Sequence, residues 1–357
     1  VPFAWMEEDA PEASPTVARA GFAAISAGGH IYLVGGHTGT TALRTLVAFE
    51  PTLGITRNGK WLELPTMLAR RSYLAAVGID GHIFALGGGA DGRMQNTVEA
   101  FNIETSEWCS WYHLPPMHTK RMQHAAVAAS GGRIFVCGGF DGCRDMSVFE
   151  CFSRELNQWT RLDNMTRGRS SLGLALAAKS IWAIGGQDRL DGQIRALATV
   201  EAFDMHSERW MAKPPLSCPR LAPAVVSVVD RTGEFIYVCG GSDGQDVLDT
   251  MECFNVVEGK WTELPRMAVP RLSHAAAYFR SRLFVFGGHD GQGPLDSFQV
   301  YDPRKNVWGP LLKMGDTWEE AQPEEVEIEA EQAAAASKIQ AIQRGRKTRA
   351  ALGAAST

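Results

Sequence analysis

Apolar residues along this chain fall into short runs of four to six, separated by turn-forming Gly, Pro, Asp and Asn, and the runs recur in a fixed order. One run is small and apolar, as in HAAVAAS (124–130) and HAAAYFR (274–280). The next is β-branched or aromatic and ends on a Gly pair: YLVGG (Gly35, Gly36), FALGG (Gly87, Gly88), FVCGG (Gly138, Gly139), WAIGG (Gly185, Gly186), YVCGG (Gly240, Gly241) and FVFGG (Gly287, Gly288). A third run carries an aromatic column, Phe49, Phe101, Phe152, Phe203, Phe254 and Tyr301, and a fourth carries a Trp column, Trp61, Trp108, Trp159, Trp210, Trp261 and Trp308. Runs of this length bounded by Gly and Pro predict strands, four to a repeat. The Gly pair marks a position where close packing or positive φ excludes a side chain.

The Trp residues recur every 47 to 51 positions. Six repeats of about 50 residues with paired glycines resemble kelch repeats, which form propeller blades. The resemblance covers residues 15–314 and predicts an all-β fold, a six-bladed kelch propeller followed by a single C-terminal α-helix. The small first run suits the crowded strand nearest a central channel. The Trp packs one blade on the next, and turns such as LPTM, LPPM and LPRM lead onward.

Spacing within the repeats locates two insertions. From the second Gly to the aromatic column the distance is 13 in five blades and 17 in the fourth, Gly186 to Phe203. From that column to the Trp it is 7 in five blades and 12 in the first, Phe49 to Trp61. Alternating strand direction puts these loops on opposite faces. The blade-four loop, QDRLDGQIRALA with Arg189 and Arg195, shares a face with the connections between blades. Trp5, in the N-terminal segment 1–14, has no blade of its own. An outer strand that closes the ring on the last blade, an aromatic anchor, and the remnant of an upstream repeat are its three readings.

An Arg precedes each first strand: Arg19, Arg71, Arg121, Arg169, Arg220 and Arg271. One reading is structural, with each Arg paired to loop carboxylates or carbonyls. The other is a ring of guanidinium groups at one channel mouth, suited to carboxylate-bearing ligands, with Tyr73, His124 and His274 as neighbours. The repeats resemble most the kelch-like proteins, whose propellers present substrates to cullin-type ubiquitin ligases. That resemblance implies an acidic peptide at these positions, and Arg189 and Arg195 join the expected partner-binding set. No BTB or BACK segment precedes the propeller here, so the ligase-adaptor role rests on resemblance alone.

Composition narrows the function classes. The 357 residues are 45% hydrophobic and 21% charged with a net charge of −5, the balance of a globular chain and not of a general nucleic-acid binder. No run of eighteen apolar residues predicts a membrane span, and the acidic N-terminus lacks a basic-then-apolar leader. The chain opens on Val1, as a processed or partial product would. Of seven cysteines, Cys137 and Cys239 share a column with Val34 and Leu86, and Cys151 and Cys253 share one with Ala48 and Ala100. They read as small core side chains in a reduced, cytoplasmic setting.

Enzymatic readings fare poorly. GGGADG (Gly87–Gly92) joins strand to strand and opens no helix, which removes its phosphate-binding logic. The iron motif of some kelch proteins has only Gln245, Asp249 and Cys253 as its nearest approach, and nothing clusters as copper chemistry needs. No catalytic residue, metal or cofactor is expected.

After Trp308 the composition changes. Residues 315–332 hold eight acids and no base, and residues 333–357 hold five bases and no acid. Pro323, the following glutamates, the Ala run and Gly353 predict a helix over about 323–352. Its second half, Ile339-Gln340-x3-Arg344-Gly345-x3-Arg349-x2-Leu352, matches the IQ motif, a helix laid in the groove of an EF-hand lobe. The resemblance implies Ile339 in an apolar pocket and Gln340 bonded to backbone. Arg344 and Arg349 would lie on acidic side chains, with Gly345 allowing close approach and Leu352 trailing. Calmodulin or a centrin-class light chain is the expected partner. A propeller joined to an IQ helix resembles components of cytoskeletal or ciliary assemblies, axonemes included.

Overall fold

A computed structural model describes residues 17–51, 59–109 and 114–315. Residues 1–16, with Trp5, and everything from 316 onward, with the IQ motif and its expected helix, lie outside the described residues. The chain divides into a unit over Val1–Asp316 and a second over Thr317–Thr357.

The described part of the first unit is six antiparallel four-stranded sheets, one per repeat. Blade one runs Ala23–Ala27, His30–Val34, Leu46–Glu50 and Lys60–Leu64. Blade six runs Ala275–Phe279, Arg282–Phe286 and Ser297–Asp302, and its outer strand is in two pieces, Val307–Trp308 and Leu312–Lys313. The outer edge of the last blade is thus paired by residues that follow it in sequence. First strands adjoin one another around the whole ring, blade one beside blade six. Their Ala- and Gly-rich sequences allow that crowding: a Cβ on Gly173 would come within 2.0 Å of Val225 in the next blade.

The core lies between blades. Each of six clusters combines apolar faces of two neighbours, and the one that closes the ring joins Ile31, Leu33 and Phe49 to Phe284, Phe286 and Phe298. The aromatic and Trp columns are direct cross-strand partners, as in Phe49 with Trp61 and Phe254 with Trp261. Their rings sit 4.4 to 5.6 Å apart. In five blades the indole N–H also donates to a backbone carbonyl where the previous blade ends: Trp108 to Pro65, Trp159 to Pro115, Trp210 to Asp163, Trp261 to Pro214 and Trp308 to Pro265. The predicted Trp contact between blades is therefore a polar bond as well as packing. Trp61, at the closing seam, has no such partner among the described residues.

The Gly pair works with the next blade. Its first residue has φ of 52 to 64° and its second 90 to 98° or, in blade three, 99°. The N–H of the second Gly donates to the carbonyl of the following blade's Arg, from Gly36 to Arg71 at 2.8 Å round to Gly288 to Arg19 at 2.8 Å. A Cβ at Gly35 would lie 2.5 Å from the Arg71 carbonyl oxygen, which is why the position admits no side chain.

Candidate functional site

Connections between blades and the loops joining second to third strands share one face, and the first site to examine there is the channel mouth. Two residues after each Arg stand Gly21, Tyr73, Gln123, Ser171, Ala222 and Ser273, all with φ between 49 and 62°. Each donates its amide to the carbonyl of its predecessor: Tyr73 to Gly21, Gln123 to Tyr73, Ser171 to Gln123, Ala222 to Ser171, Ser273 to Ala222 and Gly21 to Ser273. Six bonds of 2.6 to 3.1 Å make a closed circle around a cavity of about 90 Å³. Holding five non-Gly residues in the left-handed region costs free energy that the circle repays.

The six arginines are not on that rim. Arg19, Arg71, Arg121, Arg169, Arg220 and Arg271 are 0 to 2% exposed. Each guanidinium donates to the carbonyl of the first Gly of its own blade, for example Arg121 to Gly138 at 2.9 Å and Arg271 to Gly287 at 2.7 Å. Four also pair with a Glu inside the third strand: Arg71 with Glu99 at 2.9 Å, Arg121 with Glu150, Arg169 with Glu201 at 2.8 Å and Arg220 with Glu252 at 2.9 Å. The same carboxylates accept backbone amides from the preceding connection, those of Leu68, His118, Thr166 and Ser217. The ring of surface guanidinium groups is thereby corrected: these side chains are buried and tie each blade to the connection entering it. Blades one and six carry Val47 and Gln299 at the Glu position, and burial lowers Arg19 and Arg271 to about 10.

His124 and His274, placed on the same rim from sequence, are 5% exposed instead. Their column is apolar in other blades (Phe22, Leu74, Leu172), and each imidazole packs on the first Gly of the blade before, Gly87 or Gly240. Neither ring nitrogen of His274 has a hydrogen-bond partner among the described residues. Burial, with nearby arginines second, pushes both down to about 3, so both are neutral near pH 7. Tyr73 does stand at the mouth. Its hydroxyl lies 3.0 Å from His37 Nε2, and with Met94 and Met122 the two line a pocket of about 400 Å³.

The blade-four insertion stands on the expected face and has its own structure. Gln187–Leu190 pairs with Gln193–Ala196 as a two-stranded hairpin, turned by Asp191 and Gly192 at φ of 51 and 78°. Arg189 reaches back to blade three, with Nη1 2.7 and 2.8 Å from the Asp145 carboxylate and its guanidinium 4.3 Å from the Phe140 ring centre. Arg195 and Arg167 both hold Asp188. Arg189 thus anchors the hairpin to blade three, whereas Arg195, with its side chain 45% exposed, pairs across the hairpin itself. The large apolar residues left outward are Leu190 and Ile194, 51 and 53% exposed, on opposite faces of the tip. Sequence reasoning passed over them, although two branched apolar residues around an Asp-Gly turn were the available signal.

All seven cysteines are free, and burial raises Cys239 to about 12, so it is a thiol and not a thiolate. Among the described residues no three His, Cys, Asp or Glu side chains gather as a metal site, and no helix is long and apolar enough to cross a membrane.

Comparison with known proteins agrees with this architecture. The chain superposes on the protein titled "Structure of YjhT" with a TM-score of 0.67, covering 85% of this chain and 99% of that one at 15% identity, a likeness of fold. It is 31% identical over 145 residues to human Kelch domain-containing protein 8B, 39% of this chain and 41% of that protein. It is 34% identical over 113 residues to mouse Kelch-like protein 35, 31% of this chain and 18% of that protein. It is 28% identical over 142 residues to alpha-scruin of Limulus polyphemus, 38% of this chain and 14% of that protein. The chain matches less than half the length of each of these three kelch relatives. Residues 18–68 match the Kelch motif, and residues 73–269 and 174–326 match the family described as KLHDC2/KLHL20/DRC7 Kelch-repeats domain. With six blades, each carrying the Gly pair and the Trp contact, the chain belongs to the kelch-repeat family of β-propellers.

Proposed function

We propose that the protein is a non-enzymatic interaction scaffold. Its hairpin-bearing face grips a partner protein, and its C-terminal IQ motif recruits calmodulin or a centrin-class light chain, within a cytoplasmic cytoskeletal or ciliary assembly. The observation that carries the first half is the blade-four hairpin: ion pairs of Arg189 with Asp145 and of Arg167 with Asp188 hold it, and its tip presents Leu190 and Ile194 to solvent. An anchored element with apolar residues at its end supports docking, because little ordering entropy remains to be lost on binding. With the six arginines sealed, the contact rests on these apolar residues and not on an acidic peptide. Support for the second half is the motif itself, Ile339, Gln340, Arg344, Gly345, Arg349 and Leu352, in a basic stretch that follows eight acids.

The test of the face is affinity capture from source cells with the whole chain and with a Leu190→Asp/Ile194→Asp variant. The account expects specific partners on the wild type, absent from the variant, at unchanged melting temperature. A second reading, the substrate-recognition propeller of a cullin-type ubiquitin ligase, draws on the similarity to Kelch-like protein 35. It uses the same face and makes the IQ residues dispensable.

A further inference from the structure

Blade five departs from the others on the face opposite the hairpins. Its first two strands, Ala224–Asp230 and Gly233–Cys239, are 7 residues each, whereas the corresponding strands of the other blades are 5. The extension walls a groove of about 670 Å³ between blades five and six. Tyr237 and Tyr301, 7 and 1% exposed, form its floor with their rings edge to face at 6.5 Å. Half-buried Phe235 and Tyr278 face the opening. The blade position of Tyr278 holds Ser26, Gly78, Ala128, Leu176 or Ser227 elsewhere, so the fold does not require an aromatic ring there.

The polar groups of the groove are balanced in charge. Asp230 and Glu258 offset Arg231 and Arg304, so a charged ligand gains nothing there. Asp230 takes the amide and hydroxyl of Thr232 on one oxygen, and Glu258 holds Lys260. Asn255 Oδ1 accepts the amides of Val257 and Glu258, and Asn306 Oδ1 accepts the Tyr301 hydroxyl at 2.6 Å. Both side-chain NH₂ groups remain as donors, beside the Arg304 guanidinium and the Thr262 hydroxyl.

We propose that this groove binds an extended proline-rich segment of a partner protein. Such a segment is uncharged and offers backbone carbonyls to the donors. Its prolines fix φ and so hold the segment extended along the groove. Its rings stack on Phe235 and Tyr278, and its preformed polyproline II conformation lowers the cost of ordering.

The experiment is fluorescence anisotropy of labelled decaproline titrated with the full chain, beside a Gly-Ser peptide of equal length. Saturable binding of decaproline alone is expected. Tyr278→Ala, a residue that blade three carries at this position, is expected to weaken it by about tenfold. Phe235→Ser, the residue that blade four carries at this position as Ser180, weakens it as well. Leu190→Asp/Ile194→Asp on the opposite face leaves it unchanged, which separates this groove from the partner face. Absence of saturable binding, equal binding of the Gly-Ser peptide, or indifference to both groove substitutions overturns the proposal. So does a peptide-free dimer in sedimentation that Tyr278→Ala abolishes, which would give the groove to a second copy.

Discussion

The amide of Gly21 donates a 2.8 Å hydrogen bond to the carbonyl of Ser273, joining blade one to blade six. It completes the circle of six backbone bonds at the channel mouth. Gly21 has φ of 62°, and a Cβ there would lie 2.9 Å from the Tyr73 ring. Gly21→Val is expected to destabilise the propeller by about 2–4 kcal/mol through strain at positive φ and displacement of Tyr73. Thermal unfolding reads this directly, and an unchanged melting temperature would show that the circle does not hold the ring shut.

The buried arginines separate a structural from a recognition role. Arg220→Ala leaves Glu252 buried and unpaired, and is expected to cost about 3–5 kcal/mol. Glu252→Gln is expected to cost less, about 1–3 kcal/mol, because Gln299 already fills that position in blade six and accepts the Ala268 amide at 3.0 Å. Denaturant titration of both variants gives the order. Were Arg220 a ligand contact, its loss would spare stability and abolish binding.

Acid sensitivity follows from His124 and His274. Each has a folded pKa of about 3, below the ordinary value of 6.5, so the unfolded chain binds protons that the folded chain refuses. Their contribution is fully present above pH 6.5 and is lost as pH falls from 6.5 toward 3. At pH 5 the two together cost on the order of 4 kcal/mol relative to pH 7. His124→Leu/His274→Leu, which copies Leu74 and Leu172, is expected to flatten the decline in melting temperature between pH 7 and 4.5. An unaltered slope in the double variant would place the acid sensitivity elsewhere.

The blade-four hairpin owes its fixed position to Arg189. Removing it forfeits the partly exposed ion pair with Asp145 and the contact with Phe140, which together are worth about 1–2 kcal/mol locally. Arg189→Ala is expected to speed amide exchange across residues 187–196 while global stability stays within about 0.5 kcal/mol. Exchange no faster than in the wild type would mean that the hairpin is held by its own cross-strand pairing.

Blade number, strand order, the Trp contact and the face of the blade-four insertion were all legible in the sequence, because each repeats six times or breaks a repeat at one countable place. The arginine column was legible as a column but not in its role. An Arg before a strand reads the same whether it faces solvent or a buried carboxylate. Its partners, Glu99, Glu150, Glu201 and Glu252, were a visible signal: an acid recurring inside otherwise apolar strands, as in VEAF and FECF. His124 and His274 misled for a related reason, since a polar residue type stands in an apolar column. Blade five's longer hairpin was countable in the sequence and passed over: Arg220 to Gly240 spans 20 residues, against 16 or 17 from the Arg to the first Gly of the other blades.

The proposed scaffold stands or falls on its recruiting end, for which the IQ motif suggests a partner class. Calorimetric titration of purified calmodulin into the whole chain, with calcium and with chelator, measures it directly, alongside an Ile339→Asp/Leu352→Asp variant. The account predicts one calmodulin per chain in at least one calcium state, with affinity lost in the variant while the propeller's melting temperature is unmoved. No binding in either state, or binding indifferent to Ile339 and Leu352, would contradict it.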